Sequence, residues 1–231
     1  MHIWAIGDLH LSFDKNYNLV KPMDIFSDIW RDHAEKIAHY WRENVSAEDT
    51  VLLAGDLSWA LKPANARYDI AWINNLPGRK IAVKGNHDLW WQGADKTKAL
   101  LAPIEPVSNN AISVDGFAIC GAKGYRAEHG AYEPKIANRE YLRLENSLKK
   151  GRESGKEILA LLHYPPYEES GEENMFSELL KKYHVKRVIY GHLHKNNITV
   201  ICDSIGETAL DLVSADYADF KVQKIIERRQ L

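Results

Sequence analysis

Apolar residues along this chain fall into short, dense runs separated by stretches with helical spacing. The runs Ile3-Trp4-Ala5-Ile6, Val51-Leu52-Leu53-Ala54, Ile81-Ala82-Val83, Ile158-Leu159-Ala160-Leu161-Leu162 and Val188-Ile189-Tyr190 are too short for helices and lack polar alternation. They predict strands buried on both faces. Between them, Ile25, Ile29, Ile37 and Trp41 recur at multiples of four and predict a helix over residues 24–44, with His33 and His39 as ordinary surface or boundary residues. Weaker helical spacing covers residues 64–75 (Ile70, Ile73) and 95–101. Two further helices carry Ile136, Leu144 and Leu148, and, over residues 174–183, Phe176, Leu179 and Leu180. Three successive strand–helix units predict a parallel sheet covered by helices, whose ligands gather at the carboxyl ends of the strands.

Other stretches follow a different pattern. The runs 111–114 and 117–120 flank Asp115-Gly116, a hairpin signal. Residues 198–202, 206–213 and 220–225 are alternating or β-rich and predict antiparallel strands completing a second sheet. Residues 121–137, rich in Gly, Tyr and charge without a clear period, read as a long loop over one end of the sheets.

Composition narrows the classes. The 231 residues suffice for one large domain, 1–231, and 45% hydrophobic with 27% charged residues is ordinary for a soluble globular chain. No apolar run approaches the ~20 residues of a membrane span. The N-terminus shows no basic region followed by a long apolar core, so a cytoplasmic location is expected. Cys120 and Cys202 lie in apolar, strand-like runs and read as buried thiols, which suits a reducing compartment. The net charge of −2, with both signs interspersed, offers no basic track for a nucleic-acid backbone. Oligomeric state leaves no trace in the sequence.

The candidate chemistry sits where the strands end. The first run leads into Gly7-Asp8-Leu9-His10, the second into Gly55-Asp56, and the third into Lys84-Gly85-Asn86-His87-Asp88. The fourth ends at His163, before Tyr164-Pro165-Pro166, and the fifth in Gly191-His192-Leu193-His194. Asp8 and His10, like His192 and His194, are two residues apart, so in extended backbone each pair projects to one face. A lone histidine at a strand end is commonly a satisfied core residue. Eight oxygen and imidazole donors, each just beyond an apolar strand and mostly preceded by Gly, are not explained by independent packing. Such donors suit divalent metal ions and proton transfer. Asp88 reads either as a carboxylate orienting an imidazole or as the cap of the following turn.

The ordered set Asp-x-His, Gly-Asp, Gly-Asn-His-Asp, His and Gly-His-x-His, running from Asp8 to His194, resembles the calcineurin-like metallophosphoesterase superfamily. The resemblance implies an α/β fold, a four-layer α/β/β/α sandwich of two mixed sheets, with a dinuclear metal site at the strand ends. It implies that Asp8, His10, Asp56 and His194 bind one ion, and that Asp56, Asn86, His163 and His192 bind the other, with Asp56 shared. His87 would be the unliganded imidazole beside the leaving group. Two divalent ions against two carboxylates leave about two positive charges, a field that suits a phosphate ester. A water or hydroxide bridging the ions would attack the phosphorus. Imidazole and carboxylate ligands without thiolate suit Mn, Fe or Zn, and the resemblance favours manganese.

Asn86, Arg126, His129 and Arg139 are candidate phosphate contacts, and Trp59, Trp90, Trp91, Tyr164 and Tyr167 a candidate aromatic wall. The expected substrate is a small phosphate mono- or diester. A nuclease would need the missing basic track. A non-catalytic scaffold of the same fold would lack the ligands or His87. A purely structural metal site would be closed by four ligands, without a shared carboxylate.

Overall fold

The computed structural model describes residues 1–21, 23–92, 94–127, 132–196 and 198–227. Among them the first sheet contains β1 (Ile3–Ile6), β2 (Thr50–Leu53), β3 (Arg79–Ala82), β4 (Glu105–Pro106) and β11 (Gln223–Ile226), in the order β11-β1-β2-β3-β4. β1 to β4 are parallel, and β11 closes the β1 edge antiparallel. The second sheet contains β5 (Ala111–Val114), β6 (Phe117–Ala122), β7 (Glu157–Leu162), β8 (Arg187–Tyr190), β9 (Ser204–Ile205) and β10 (Thr208–Leu212), in the order β5-β6-β7-β8-β10-β9. β6, β7, β8 and β10 run parallel, with β5 and β9 antiparallel at the edges.

The strand runs are apolar throughout because both faces of each sheet are covered. Between the sheets, Ile3, Ala5, Leu52 and Ile81 meet Ile119, Leu159, Leu161 and Ile189 in a shared core. The opposite face of the first sheet buries Trp4, Ile6, Val51 and Leu53 under α1 (His33–Asn44), α2 (Pro63–Asn74) and α3 (Ala94–Leu101). The outer face of the second sheet packs on α4 (Pro134–Glu153) and α5 (Met175–Lys182). The layers therefore run α/β/β/α, as the resemblance implied. Trp41 of α1 is fully buried and bonds Pro77 O at 2.9 Å, so truncating it to Ala would cost about 3–5 kcal/mol. α5 is set by a capping box: Asn174 accepts from the Phe176 and Ser177 amides, while Ser177 Oγ accepts from the Asn174 amide.

Several expectations fail here. The stripe over residues 24–44 is not one helix. Residues 23–25 and 28–30 form single 3-10 turns, Asp32 adopts left-handed backbone with φ 55°, and α1 starts only at His33. Ser27, Asp28 and Asp32 are short polar residues that compete for the backbone, and Ile25 stays 68% exposed. His33, expected at the helix surface or boundary, fills the stripe's vacant place instead: it is buried, with Nδ1 3.1 Å from Trp30 O. His39 is exposed beside Glu43, as expected.

The late strands also differ. Residues 198–202 form no strand, β10 joins the second sheet parallel to β8, and β11 joins the first sheet. The expected 121–137 loop is shorter, because β6 continues to Ala122 and α4 begins at Pro134. His129 lies outside the described residues. No helix among the described residues is long and apolar enough to cross a membrane.

Candidate metal centre

The parallel strands β1, β2, β3, β7 and β8 end on one side, and their loops continue side by side. The Asp8 amide donates to Gly55 O (2.9 Å), the His10 amide to Asp56 O (3.0 Å), and the Gly191 amide to His163 O (3.1 Å). These bonds extend the sheet pairing past the strand ends and bring residues far apart in sequence into one cluster. Asp8, His10, Asp56 and His192 all carry positive φ, a conformation rare outside glycine and concentrated at functional sites.

The glycines preceding the donors have a specific task at two positions. A Cβ at Gly85 would overlap Oδ1 and the amide of Asp56, and one at Gly191 would overlap Oδ2 of Asp8. Each carboxylate therefore lies against bare backbone that another residue type would fill.

The donors form two groups. Asp8, His10 and His194 offer ligand atoms within 4.8 Å of one another, as do Asp8, Asp56 and His163. His10 Nε2 and His194 Nε2 are 3.2 Å apart. Asn86 Oδ1 lies 2.6 Å from His163 Nε2 and 3.1 Å from His192 Nδ1. Asp8 reaches both groups, but its two oxygens also accept from the His192 amide at 3.2 and 2.9 Å. Asp56 is held differently: Oδ1 accepts from the His87 amide (2.8 Å), leaving Oδ2 3.9 Å from His10 Nε2 and 3.6 Å from His163 Nε2.

Proton placement tests whether this set suits cations. His163 Nδ1 faces the carbonyl of Ala54 at 2.9 Å, and a carbonyl can only accept, so Nδ1 carries the ring proton. Nε2 is then a bare lone pair aimed at the amide oxygen of Asn86, two acceptors in contact. His194 repeats the arrangement, with Nδ1 3.1 Å from the carboxylate of Asp216 and its other nitrogen facing His10. Acceptors converging at about 3 Å suit ligands of a common divalent ion with bonds near 2.1 Å.

The electrostatics agree. Burial, followed by the neighbouring imidazoles, pushes His10 and His163 well below the usual histidine range, which keeps both neutral. Burial pushes Asp56 well up, and repulsion from Asp88 and Asp8 adds to it; burial also raises Asp8. Buried carboxylates that repel one another favour a bound cation, which a metal ion would supply.

Around the donors, His87 is half-buried, its ring 4.3 Å from Trp59 and 5.6 Å from His10. Trp59 also stacks on His10 at 4.8 Å, and Tyr164 lies 4.3 Å from His192. Trp59 and Tyr164 thus flank the centre. Trp90 and Tyr167 do not, being buried and bonded to Asp88 and Tyr190 respectively. Trp91 packs against the core under the first sheet, its carbonyl accepting from Lys84 Nζ at 2.9 Å.

Asp88 is not placed as either reading expected. It accepts from the Leu57, Ser58 and Gly85 amides and from Trp90 Nε1, clamping the loop after Asp56 to the loop before Asn86. Burial lifts its carboxyl to about 6. The carboxylate that does orient an imidazole is Asp216, which sequence reasoning missed. It follows β10, and reading β10 as antiparallel put its carboxyl end on the wrong side of the sheet. Arg126 lies in electrostatic reach of the Tyr167 hydroxyl, and its Nε is buried without a hydrogen-bond partner among the described residues. Arg139 lines a separate cavity with Lys84 and Lys123.

Comparison with known proteins places this arrangement. Residues 90 in number align at 34% identity with the Gene 66 protein of Mycobacterium phage D29, and 85 at 31% with that of phage L5. These alignments cover 38% and 37% of this chain and only 40% and 39% of the phage proteins, so the chain spans well under half the length of these relatives. Among solved structures, AQ665 from Aquifex aeolicus, a protein of unknown function, matches with TM-score 0.53 and 18% identity over 96% of this chain and 94% of its own. The phosphopantetheinyl hydrolase PptH from Mycobacterium tuberculosis matches with TM-score 0.56 and 13% identity, over 100% and 97%. At those identities the likeness shows the fold. The calcineurin-like phosphoesterase family itself matches residues 1–196, and on that match, spanning every donor described above, the chain belongs to the calcineurin-like phosphoesterases.

Proposed function

We propose that this protein hydrolyses small phosphate mono- or diesters at a centre of two divalent ions, manganese in the first instance, with Fe or Zn as alternatives. Asp8, His10 and His194 would hold one ion, Asn86, His163 and His192 the other, and Asp56 would be common to both. The observation that carries this reading is the position of Asp56 Oδ2, 3.9 Å from His10 Nε2 and 3.6 Å from His163 Nε2. When bound, two such ions supply Lewis-acid polarisation of the phosphoryl oxygens and an activated water.

The chain's own residues do the rest. The Ala54 carbonyl and the Asp216 carboxylate fix the ring orientations of His163 and His194, so that a lone pair of each points inward. The His87 amide holds Asp56 Oδ1, which fixes the direction of the shared carboxylate. The His87 ring is half-buried at the edge of the cluster against Trp59, where it can donate a proton to the leaving oxygen, worth about 10²–10⁴ in rate. Asn86 and Arg126 are proposed phosphate contacts.

The test is a metal titration on a substrate panel. Chelated protein should be inactive on aryl phosphates, aryl phosphodiesters and cyclic nucleotides, and Mn²⁺ should restore hydrolysis better than Mg²⁺, since imidazole ligands favour transition ions. The name of the Mycobacterium tuberculosis neighbour adds phosphopantetheinyl esters to the panel. Full activity with Mg²⁺ alone would show that the ligand set is misread, and no hydrolysis with any ion would remove the proposal.

A further inference from the structure

Beside the centre lies a cavity of about 720 Å³ that the reading above does not use. Its walls are the ends of β3 and β6, the loop around β4, and the faces of α3 and α4. Its charge is the opposite of the chain's. Among the described residues, Lys84, Lys98, Lys123, Arg139 and Arg143 line it against Glu105 and Glu140, an excess of three positive charges in a chain whose net charge is −2. Both carboxylates are already engaged: Glu105 binds Arg79 Nε at 2.6 Å, and Glu140 Oε1 accepts from Arg139 Nε at 3.2 Å and Arg143 Nη1 at 2.8 Å.

Glu140 is buried, and its Oε2 has no hydrogen-bond partner among the described residues. It anchors two guanidinium groups from one side and leaves most of their donors unspent. Cations gathered this closely repel one another, and an entering anion would relieve that repulsion.

The cavity also abuts the centre. Lys84 leaves the carboxyl end of β3, which also delivers Asn86, and Lys123 leaves that of β6, paired in parallel with β7, which delivers His163. The Lys123 carbonyl accepts from the His163 amide (3.1 Å) and the Tyr164 amide (3.0 Å). Lys123 Nζ lies 5.4 Å from the centroid of the Tyr164 ring, which also meets the rings of His192 at 4.3 Å and His163 at 5.3 Å. Lys84 stands two residues before Asn86. The cavity therefore begins where the second donor group ends, and its volume far exceeds what one phosphate needs.

We propose that this cavity is a subsite for a second phosphate of the substrate, so that the preferred substrates are bisphosphates, with one phosphate ester at the metal centre and the other held by Lys84, Lys123, Arg139 and Arg143. The proposal rests on the phosphoesterase reading of the centre, and a binding measurement without turnover separates the two. Metal-loaded protein is titrated by calorimetry, at physiological ionic strength, with alkylphosphonates and with α,ω-alkane bisphosphonates of increasing chain length. At the length that spans centre and cavity, the bisphosphonate should bind about tenfold tighter or better, the scale of a charge-assisted contact. The double variant Lys123→Gln/Arg143→Gln should abolish that preference.

Equal affinity for the two series at every length in the wild type would overturn the subsite, whatever the variant does. Two alkylphosphonates bound per chain without a bisphosphonate preference would also overturn it, because the cavity would then take free phosphate rather than part of the substrate. A bisphosphonate preference in a protein that hydrolyses no ester would leave the subsite standing and remove the phosphoesterase reading.

Discussion

The two halves of the proposed metal centre use similar side chains held in different ways. On one side, His194 is oriented by a carboxylate, Asp216, and Trp30 and Trp59 pack on the His10 ring at 5.9 and 4.8 Å. On the other, His163 is oriented by a neutral carbonyl, and the ligand oxygen of Asn86 carries no charge. Both partners orient the ring and raise its basicity, and the charged carboxylate does so more strongly than the neutral carbonyl. The first half is thereby the more anionic and the more enclosed by aromatic rings. It should hold its ion more tightly, and the second half should be where ions exchange and where the adjoining basic cavity acts.

The largest effect should come from the residue that both halves share. Asp56→Asn should lower bound metal on both sides and remove nearly all hydrolysis, while Asp8→Asn should spare most of the ion held by Asn86, His163 and His192. Elemental analysis of both purified variants decides it. Equal metal loss would make Asp8 as much a shared ligand as Asp56, which its reach to both groups permits. Full metal content in Asp56→Asn would end the shared-ligand assignment.

Next in size is His87, which touches the boundary between the halves without belonging to either. His87→Asn should keep both ions and lower kcat on alkyl phosphates by about 10²-fold or more. The loss should shrink on a nitrophenyl ester, whose leaving group needs little protonation. Loss of metal would make His87 a ligand instead.

How much of this asymmetry the sequence could reveal depended on which physical signal marked each residue. Asp8, His10, Asp56, Asn86, His87, His163, His192 and His194 stood out because short buried strands are dense in apolar residues, so a polar residue just past the run marks the strand end. Four of the five ends also carry a glycine, which the packing of Asp56 against Gly85 and of Asp8 against Gly191 explains for two of them. Asp216 gave no such signal, for it follows β10, whose alternating burial looks the same whether the strand runs parallel or antiparallel. The helix over residues 24–44 was misread for a related reason. Spacing by four identifies a possible stripe, but Ser27, Asp28 and Asp32 decide whether the backbone between its members is helical. Ala54, which orients His163 through its carbonyl, cannot be found from side-chain chemistry at all.

Asp216 supplies the sharper test of the comparison. Asp216→Asn leaves every ligand in place and removes the charge behind His194, so the first ion should bind about 10–100-fold more weakly while the second is unaffected. Competition with a fluorescent chelator would resolve the two affinities. If both ions weaken equally, the halves are not independent, and the contrast between carboxylate and carbonyl support does not set their affinities.

The smallest expected effect concerns stability, and it too belongs to the first half. Buried Asp69 accepts from the Phe13 amide (2.6 Å), in the loop after His10, and from the Ser58 hydroxyl, in the loop after Asp56. Burial lifts its carboxyl from 3.8 to about 7, against the opposing pull of those two hydrogen bonds. Because the folded chain holds this proton more tightly than the unfolded chain, the resulting stabilisation is complete below about pH 4. It is lost as pH rises towards 7, by at most about 1.4 kcal/mol per pH unit. Asp69→Asn keeps an acceptor for the Phe13 amide and does not ionise. The wild-type Tm should therefore fall relative to that of Asp69→Asn between about pH 4 and 7 and run parallel to it above, by several degrees in all for a chain of this size. Thermal melts of the two proteins across that range make the comparison directly, and a Tm difference that does not change with pH would show that Asp69 stays ionised in the folded protein.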